Sequence, residues 1–252
     1  MSAVGGECAL ARRAGGPVHW VARKEQPLKN SRIRIREWLS ESPHPPHSRE
    51  EIANCLTHGL GFVASLAGGL ALVIAAAIRG NAWHWVGCSV FASTLVLLYS
   101  ASTLYHVTRD PARKRIFRVA DHCCIYLLIA GSYTPFVLTA LRSGMGWALL
   151  TVVWGMALVG IAVKVLFRDR YVALSIVAYV VMGWVSIVAL PELLSAFPWE
   201  AIAWVAVGGV AYTGGILFFA WESFPYNHAI WHLFVMTGSL CHYVAVMSYI
   251  VP

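Results

Sequence analysis

Charge is what this chain has least of: 12% of its 252 residues are Asp, Glu, Lys or Arg, against 58% hydrophobic. A soluble domain carries roughly twice that share of charge, so most of this chain belongs in lipid. Its six cysteines (Cys8, Cys55, Cys88, Cys123, Cys124, Cys241) show no paired spacing and no Cys-X-X-Cys, which argues against a disulfide framework and against a cysteine zinc or redox site. In apolar stretches they act as small hydrophobes. No Gly-rich phosphate loop and no dinucleotide fingerprint occurs. No apolar run of signal-peptide length follows the first arginines, so a cleaved secretory signal is not expected. A net charge of +7 would suggest nucleic acid in a soluble protein. Here the positions of the charges matter more than their sum, and no nucleic-acid partner is expected.

Residues 1–49 differ from the rest. They hold nine of the 19 Lys and Arg, several glycines and the Pro43-His44-Pro45-Pro46-His47 run, and read as a basic, solvated, disordered tail. Its Ser31–Leu39 stretch is the part best suited to lie on anionic headgroups. Residues 50–252 read as one all-α membrane domain, because apolar runs long enough for a ~30 Å hydrocarbon core recur through it. They fall at Ile52–Ile78, Trp85–Tyr105, Val119–Leu141, Trp147–Phe167, Tyr171–Leu190, Trp199–Trp221 and Ala229–Val251, which makes seven spans. Trp and Tyr mark many of their edges, as interfacial anchors do. With the N-terminus in the cytosol, 17 of the 19 Lys and Arg face that side and only Arg79 and Arg142 the other. The bias predicts N-terminus in and C-terminus out.

The polar residues left in the spans gather at one depth. His58 opens the first span, His106 closes the second, Asp121 and His122 start the third, and His228 and His232 open the seventh. His228 and His232, four residues apart, share a helix face and can hold one ion; alone, the pair fits equally two histidines bonded to neighbouring helices. His242, ten residues beyond His232, lies ~15 Å further along the helix, too deep for the same ion. Asp121 heads an apolar run, where a carboxylate is costly without a cation or several donors; Arg118, one turn earlier, is its simplest partner. The other eleven acids are read as belonging to the tail or the loops. Ser102, four residues before His106, faces the same way. Gly131 and Pro135 are expected to interrupt the third span.

Ser102-x-x-x-His106, Asp121-His122, Ala130-Gly131-Ser132-Tyr133-Thr134-Pro135-Phe136 and His228-x-x-x-His232, with the opening Glu50-Glu51-Ile52-Ala53-Asn54-x-x-Thr57-His58-Gly59, resemble the motifs of the hemolysin III group. That group is the bacterial branch of the progestin and adipoQ receptor (PAQR) family. The resemblance covers about residues 49 to 252 and leaves out the tail. It implies seven helices, a cytosolic N-terminus, a bacterial plasma-membrane location and a zinc ion near the cytosolic face. His106, His228 and His232 would be the ligands, and Asp121 would hold the water beside the zinc with Ser102 close by. His58 and His122 would be partners of that set or packing histidines. Adiponectin receptors and alkaline ceramidases link the arrangement to hydrolysis of a lipid amide, whereas the hemolysin name comes from a cell-lysing activity.

Two functions therefore stay open. One is a zinc-dependent membrane hydrolase acting on a lipid amide or ester, with membrane lipids as its partners. Three protein ligands with an open fourth position fit a catalytic zinc, and, since Ala229, Ile230 and Trp231 separate the histidine pair, Asp121 from another helix would have to supply the base. The other is a non-enzymatic protein, a cytolysin-like pore former or a sensor of membrane state, with structural zinc.

Overall fold

The computed structural model describes residues 49–252, and all regular structure among them is helical. The helices are α1 (Arg49–Arg79), α2 (Ala82–Val107), α3 (Pro111–Thr139), α4 (Gly144–Phe167), α5 (Val172–Trp184), α6 (Leu190–Ala196), α7 (Trp199–Ala220) and α8 (Asn227–Tyr249). Helices α5 and α6 are two parts of one span, Val172–Ala196, so seven segments are long and apolar enough to cross a membrane. The tail read as disordered lies, up to residue 48, outside the described residues.

Helix α1 shows why these sequences form a bundle in lipid. Its buried residues, Glu51, Asn54, His58, Gly61, Ser65, Gly69, Leu72 and Ala76, recur every three or four positions and make one stripe. Its large apolar side chains, among them Leu56, Leu60, Val63, Leu70 and Ile78, point the other way and are exposed. This reverses the soluble pattern, because lipid solvates apolar groups and association depends on close packing instead. Gly61 and Gly69 make that packing possible. A Cβ on Gly61 would stand 2.7 Å from the Tyr99 ring of α2, and one on Gly69 3.2 Å from the Cβ of Ala92.

Helix α3 is the centre of the bundle. In its most apolar window 67% of residues are buried, against 17% in the fifth and sixth spans. It packs on α2, α4 and α5 and touches α8, while α1 against α8 closes the ring. It also begins earlier than expected. Asp110 caps it by accepting from the Arg113 N–H, and Pro111 occupies its first turn, a strong start signal. Arg113, Lys114, Arg115 and Arg118 are therefore helical and not in a loop. Lys164, inside the fourth span, is likewise helical, on α4, and only 2% exposed.

Gly131 and Pro135 do not interrupt α3, which runs on to Thr139. The break is in the fifth span, where a 3₁₀ segment, Val185–Ala189, separates α5 from α6. Carbonyls freed at such a break need partners in lipid. The Tyr133 hydroxyl of α3 supplies one, 2.7 Å from the Met182 carbonyl oxygen and 3.0 Å from that of Gly183.

Exposed aromatics mark both ends of the spans: Trp83, Trp85, Trp147 and Trp199 at one, Tyr171, Trp221 and Tyr226 at the other. Such belts lie at the two membrane interfaces. The five cysteines among the described residues are free.

Candidate metal centre

Three elements meet at the end of the bundle that carries Tyr171, Trp221 and Tyr226: the last turn of α2, the first turns of α8 and the start of α1. His106 comes from α2, and His228 and His232 from α8. One ring nitrogen of each lies within 4.8 Å of the other two, and His106 and His232 are buried. Ring centroids are 5.1 Å apart for His106–His228 and for His106–His232, and 4.6 Å for His228–His232. The Nε2 atoms of His106 and His232 are buried with no hydrogen-bond partner. Leaving a buried polar nitrogen unpaired costs about 1–3 kcal/mol, so an arrangement that aims two of them into one space suits a group that binds both. Tetrahedral ligands at Zn–N distances of about 2.0–2.1 Å stand about 3.4 Å apart, within that 4.8 Å bound. Three imidazoles suit Zn, Cu, Fe or Ni, and they can hold a metal ion here.

The remaining partners come largely from α1. The His106 Nδ1 donates to the Glu51 carboxylate at 3.2 Å, and the other Glu51 oxygen is paired with Lys114 of α3. Asn54 donates to Glu51 at 3.3 Å. Glu51 is only 6% exposed, so its place among tail and loop acids has to be corrected: it is an acid of the first helix and of this centre. The signal for it was in the sequence. Glu51, Asn54 and His58 sit at i, i+3 and i+7, a polar stripe on an otherwise apolar helix. His232 Nδ1 lies 2.9 Å from the Thr57 hydroxyl.

Ser102 and Asp121 adjoin the histidines one helical turn deeper. Ser102 is fully buried; its Oγ lies 2.6 Å from the Nδ1 of His58, and it hydrogen-bonds to Asp121. Asp121 is 3% exposed, and its partner is Ser102; no ion pair with Arg118 is found among the described residues. His58 stacks on His232, with centroids 3.4 Å apart and 14° between the planes. His242 stands apart, its Nε2 3.2 Å from the Val205 carbonyl oxygen. His122 is near Lys164 and Arg118 rather than in the histidine triad.

An apolar cavity of about 110 Å³ begins at His58 and Asp121 and continues between α3, α5, α7 and α8 past Leu128, Tyr179 and Val235. A second, of about 130 Å³, extends it toward the far end of the bundle; both are lined by Ser132, Tyr133, Trp184 and His242.

Comparison with known proteins gives the same lineage as the motifs. Hemolysin-3 of Bacillus cereus is 42% identical over 204 residues, covering 81% of this chain and 93% of that protein. The Hemolysin-3 homolog of Bacillus subtilis is 41% identical over 203 residues, 81% of this chain and 95% of the homolog. The human monocyte to macrophage differentiation factor is 28% identical over 219 residues, 82% of this chain and 87% of the human protein, in keeping with the wider PAQR family. With seven spans and these bacterial relatives, the protein is a multi-pass integral membrane protein of the bacterial plasma membrane. Residues 47–243 match the model for haemolysin-III related proteins, and the chain belongs to that family.

Proposed function

We propose that this protein is a zinc-dependent hydrolase of the membrane that cleaves a lipid amide or ester at the cytosolic leaflet. The observation that carries the reading is the triad itself: three histidines converge with no fourth protein ligand among the described residues, and a buried carboxylate and an apolar cavity lie beside them. Structural zinc sites close the shell with four protein ligands, whereas catalytic ones keep a position open.

His106, His228 and His232 would hold the zinc. Bound there, zinc supplies Lewis-acid polarisation of a carbonyl and makes water nucleophilic near neutral pH. The chain's own residues do the rest. The cavity that starts at Asp121 and His58 takes the apolar part of the lipid and keeps bulk water from the reacting carbonyl. Asp121, oriented by Ser102, takes the proton of the attacking water and returns it to the leaving amine or alcohol as the C–N or C–O bond breaks. Ser102 in turn accepts from His58, which holds the hydroxyl in place. The cytosolic assignment rests on charge: Arg49, Arg109, Arg113, Lys114, Arg115, Arg118, Lys164, Arg168 and Arg170 lie toward the triad's end, against Arg79 and Arg142 at the other.

The competing reading is a cytolysin-like pore former or a membrane-state sensor with structural zinc, which the hemolysin names of the Bacillus relatives favour. Its weakness is the cavity wall, which is mainly apolar and offers ions no polar path.

The test is a lipid screen. Zinc-loaded protein in nanodiscs is incubated with ceramides, N-acyl amines and glycerol esters, and released fatty acid is measured by mass spectrometry. Release by wild type and none by Asp121→Asn is the expected result. No release from any of these classes, together with zinc-independent dye leakage from liposomes, would transfer the protein to the pore reading.

A further inference from the structure

We propose that Glu51 and Thr57 of α1 are positioning residues that set the tautomers of His106 and His232, so that both rings carry their proton on Nδ1 and leave Nε2 for a divalent transition-metal cation. The proposal rests on the metal reading above and concerns residues that are not themselves ligands.

The donors and acceptors on α1 leave little freedom. The Thr57 hydroxyl is 2.9 Å from the Ala53 carbonyl oxygen and 3.0 Å from that of Asn54. Carbonyls can only accept, so the single hydroxyl proton goes to them. The contact of 2.9 Å with His232 Nδ1 must then be one that the ring donates. At His106 the partner of Nδ1 is a carboxylate oxygen, and the other oxygen is paired with Lys114. A carboxylate held in this way accepts, so Nδ1 of His106 is also the donor. In both rings the remaining nitrogen, Nε2, is buried and has no hydrogen-bond partner.

A metal ligand must present a lone pair, and the tautomer it adopts is fixed by the bond its other nitrogen makes. Glu51 and Thr57 make that bond from one helix to ligands on two others, α2 and α8. Lys114 keeps the Glu51 carboxylate from being a lone buried charge, and its ammonium also lies 4.9 Å from the centre of the Tyr105 ring. The first span thus contributes no ligand and yet aligns two of the three.

Two readouts test this, neither of them activity. The first is the ¹⁵N spectrum of histidine-labelled, metal-free protein in nanodiscs, in which His106 and His232 should show protonated Nδ1. The second is zinc affinity by competition with a chromophoric chelator. Glu51→Gln and Thr57→Val should each bind zinc about 10- to 100-fold more weakly. Thr57→Ser should restore wild-type affinity, which a role in packing alone would not require. Equal affinity in wild type and both variants, or protonated Nε2 in the wild-type spectrum, overturns the proposal while leaving the metal reading intact. Wild-type protein that takes up no zinc overturns both. Should Glu51→Gln fail to fold, the Thr57 series and the wild-type spectrum decide alone.

Discussion

His58 lies flat against His232, with ring centroids 3.4 Å apart and 14° between the planes, while its Nδ1 is 2.6 Å from the Ser102 hydroxyl oxygen. One side chain thus joins a candidate metal ligand to the Ser102–Asp121 pair. The two roles separate by substitution. His58→Phe keeps an aromatic ring against His232 but loses the bond to Ser102, so zinc should be retained and lipid hydrolysis should fall by about 10²-fold, the scale of a misplaced proton-transfer group. His58→Ala removes both and should also weaken zinc binding. Zinc content and turnover, measured on the same preparations, check this.

Asp121 is buried on the cavity wall, and its partner is Ser102 rather than a cation. Asp121→Asn should therefore hold zinc as wild type does and lose at least about 10²-fold in hydrolysis. Ser102→Ala should keep zinc and show a smaller loss. Loss of zinc on Asp121→Asn would make the carboxylate a ligand.

The end of α8 that carries His228 is held by α1 as well. The N-cap Tyr226 has φ 57, a left-handed conformation that disfavours a bulky side chain, and its N–H donates to the Glu50 carboxylate at 3.0 Å. Tyr226→Gly should relieve about 1 kcal/mol of backbone strain and leave zinc binding unchanged or tighter. Glu50→Ala should loosen this turn and lower the melting temperature in detergent. Thermal melts with and without zinc measure both.

Packing gives a separate forecast. Gly61→Leu places a side chain where the Tyr99 ring already stands 2.7 Å from an ideal Cβ, while Gly144 and Gly155 have nothing within 4 Å. The first should destabilise the α1–α2 contact by about 1–3 kcal/mol. Ala at Gly144 or Gly155 should leave the melting temperature near wild type.

The seven spans and the His228–His232 pair were legible in the sequence because both leave periodic marks, whereas His106 joined the pair as a ligand only through the motif resemblance. An apolar run of spanning length and a His-x-x-x-His face can be read without knowing what packs beside them. Lys114 was not legible, and the polar stripe that marks Glu51 was overridden, because hydropathy places a charged residue at the edge of a span in a loop. In the structure the Asp110–Pro111 start carries Lys114 into α3, where it meets Glu51 across the helices. The fifth span's break was hidden for the opposite reason. Tyr171–Leu190 carries no charged residue and no proline, and only the distant Tyr133 shows where the carbonyls at the break are satisfied. Gly131 and Pro135 drew attention as breakers, yet Gly131 faces Thr94 and Pro135 faces Gly87, both at helix contacts. Composition shows that a residue is unusual, and the neighbouring helix decides what it is for.

The most direct test of the central claim is the metal content of purified protein, by mass spectrometry, beside a His228→Ala/His232→Ala double variant. The expected result is one zinc per wild-type chain and none in the variant, with the variant still folded by circular dichroism. Wild-type protein without stoichiometric metal after purification in zinc-replete buffer, or equal zinc in the variant, would contradict it.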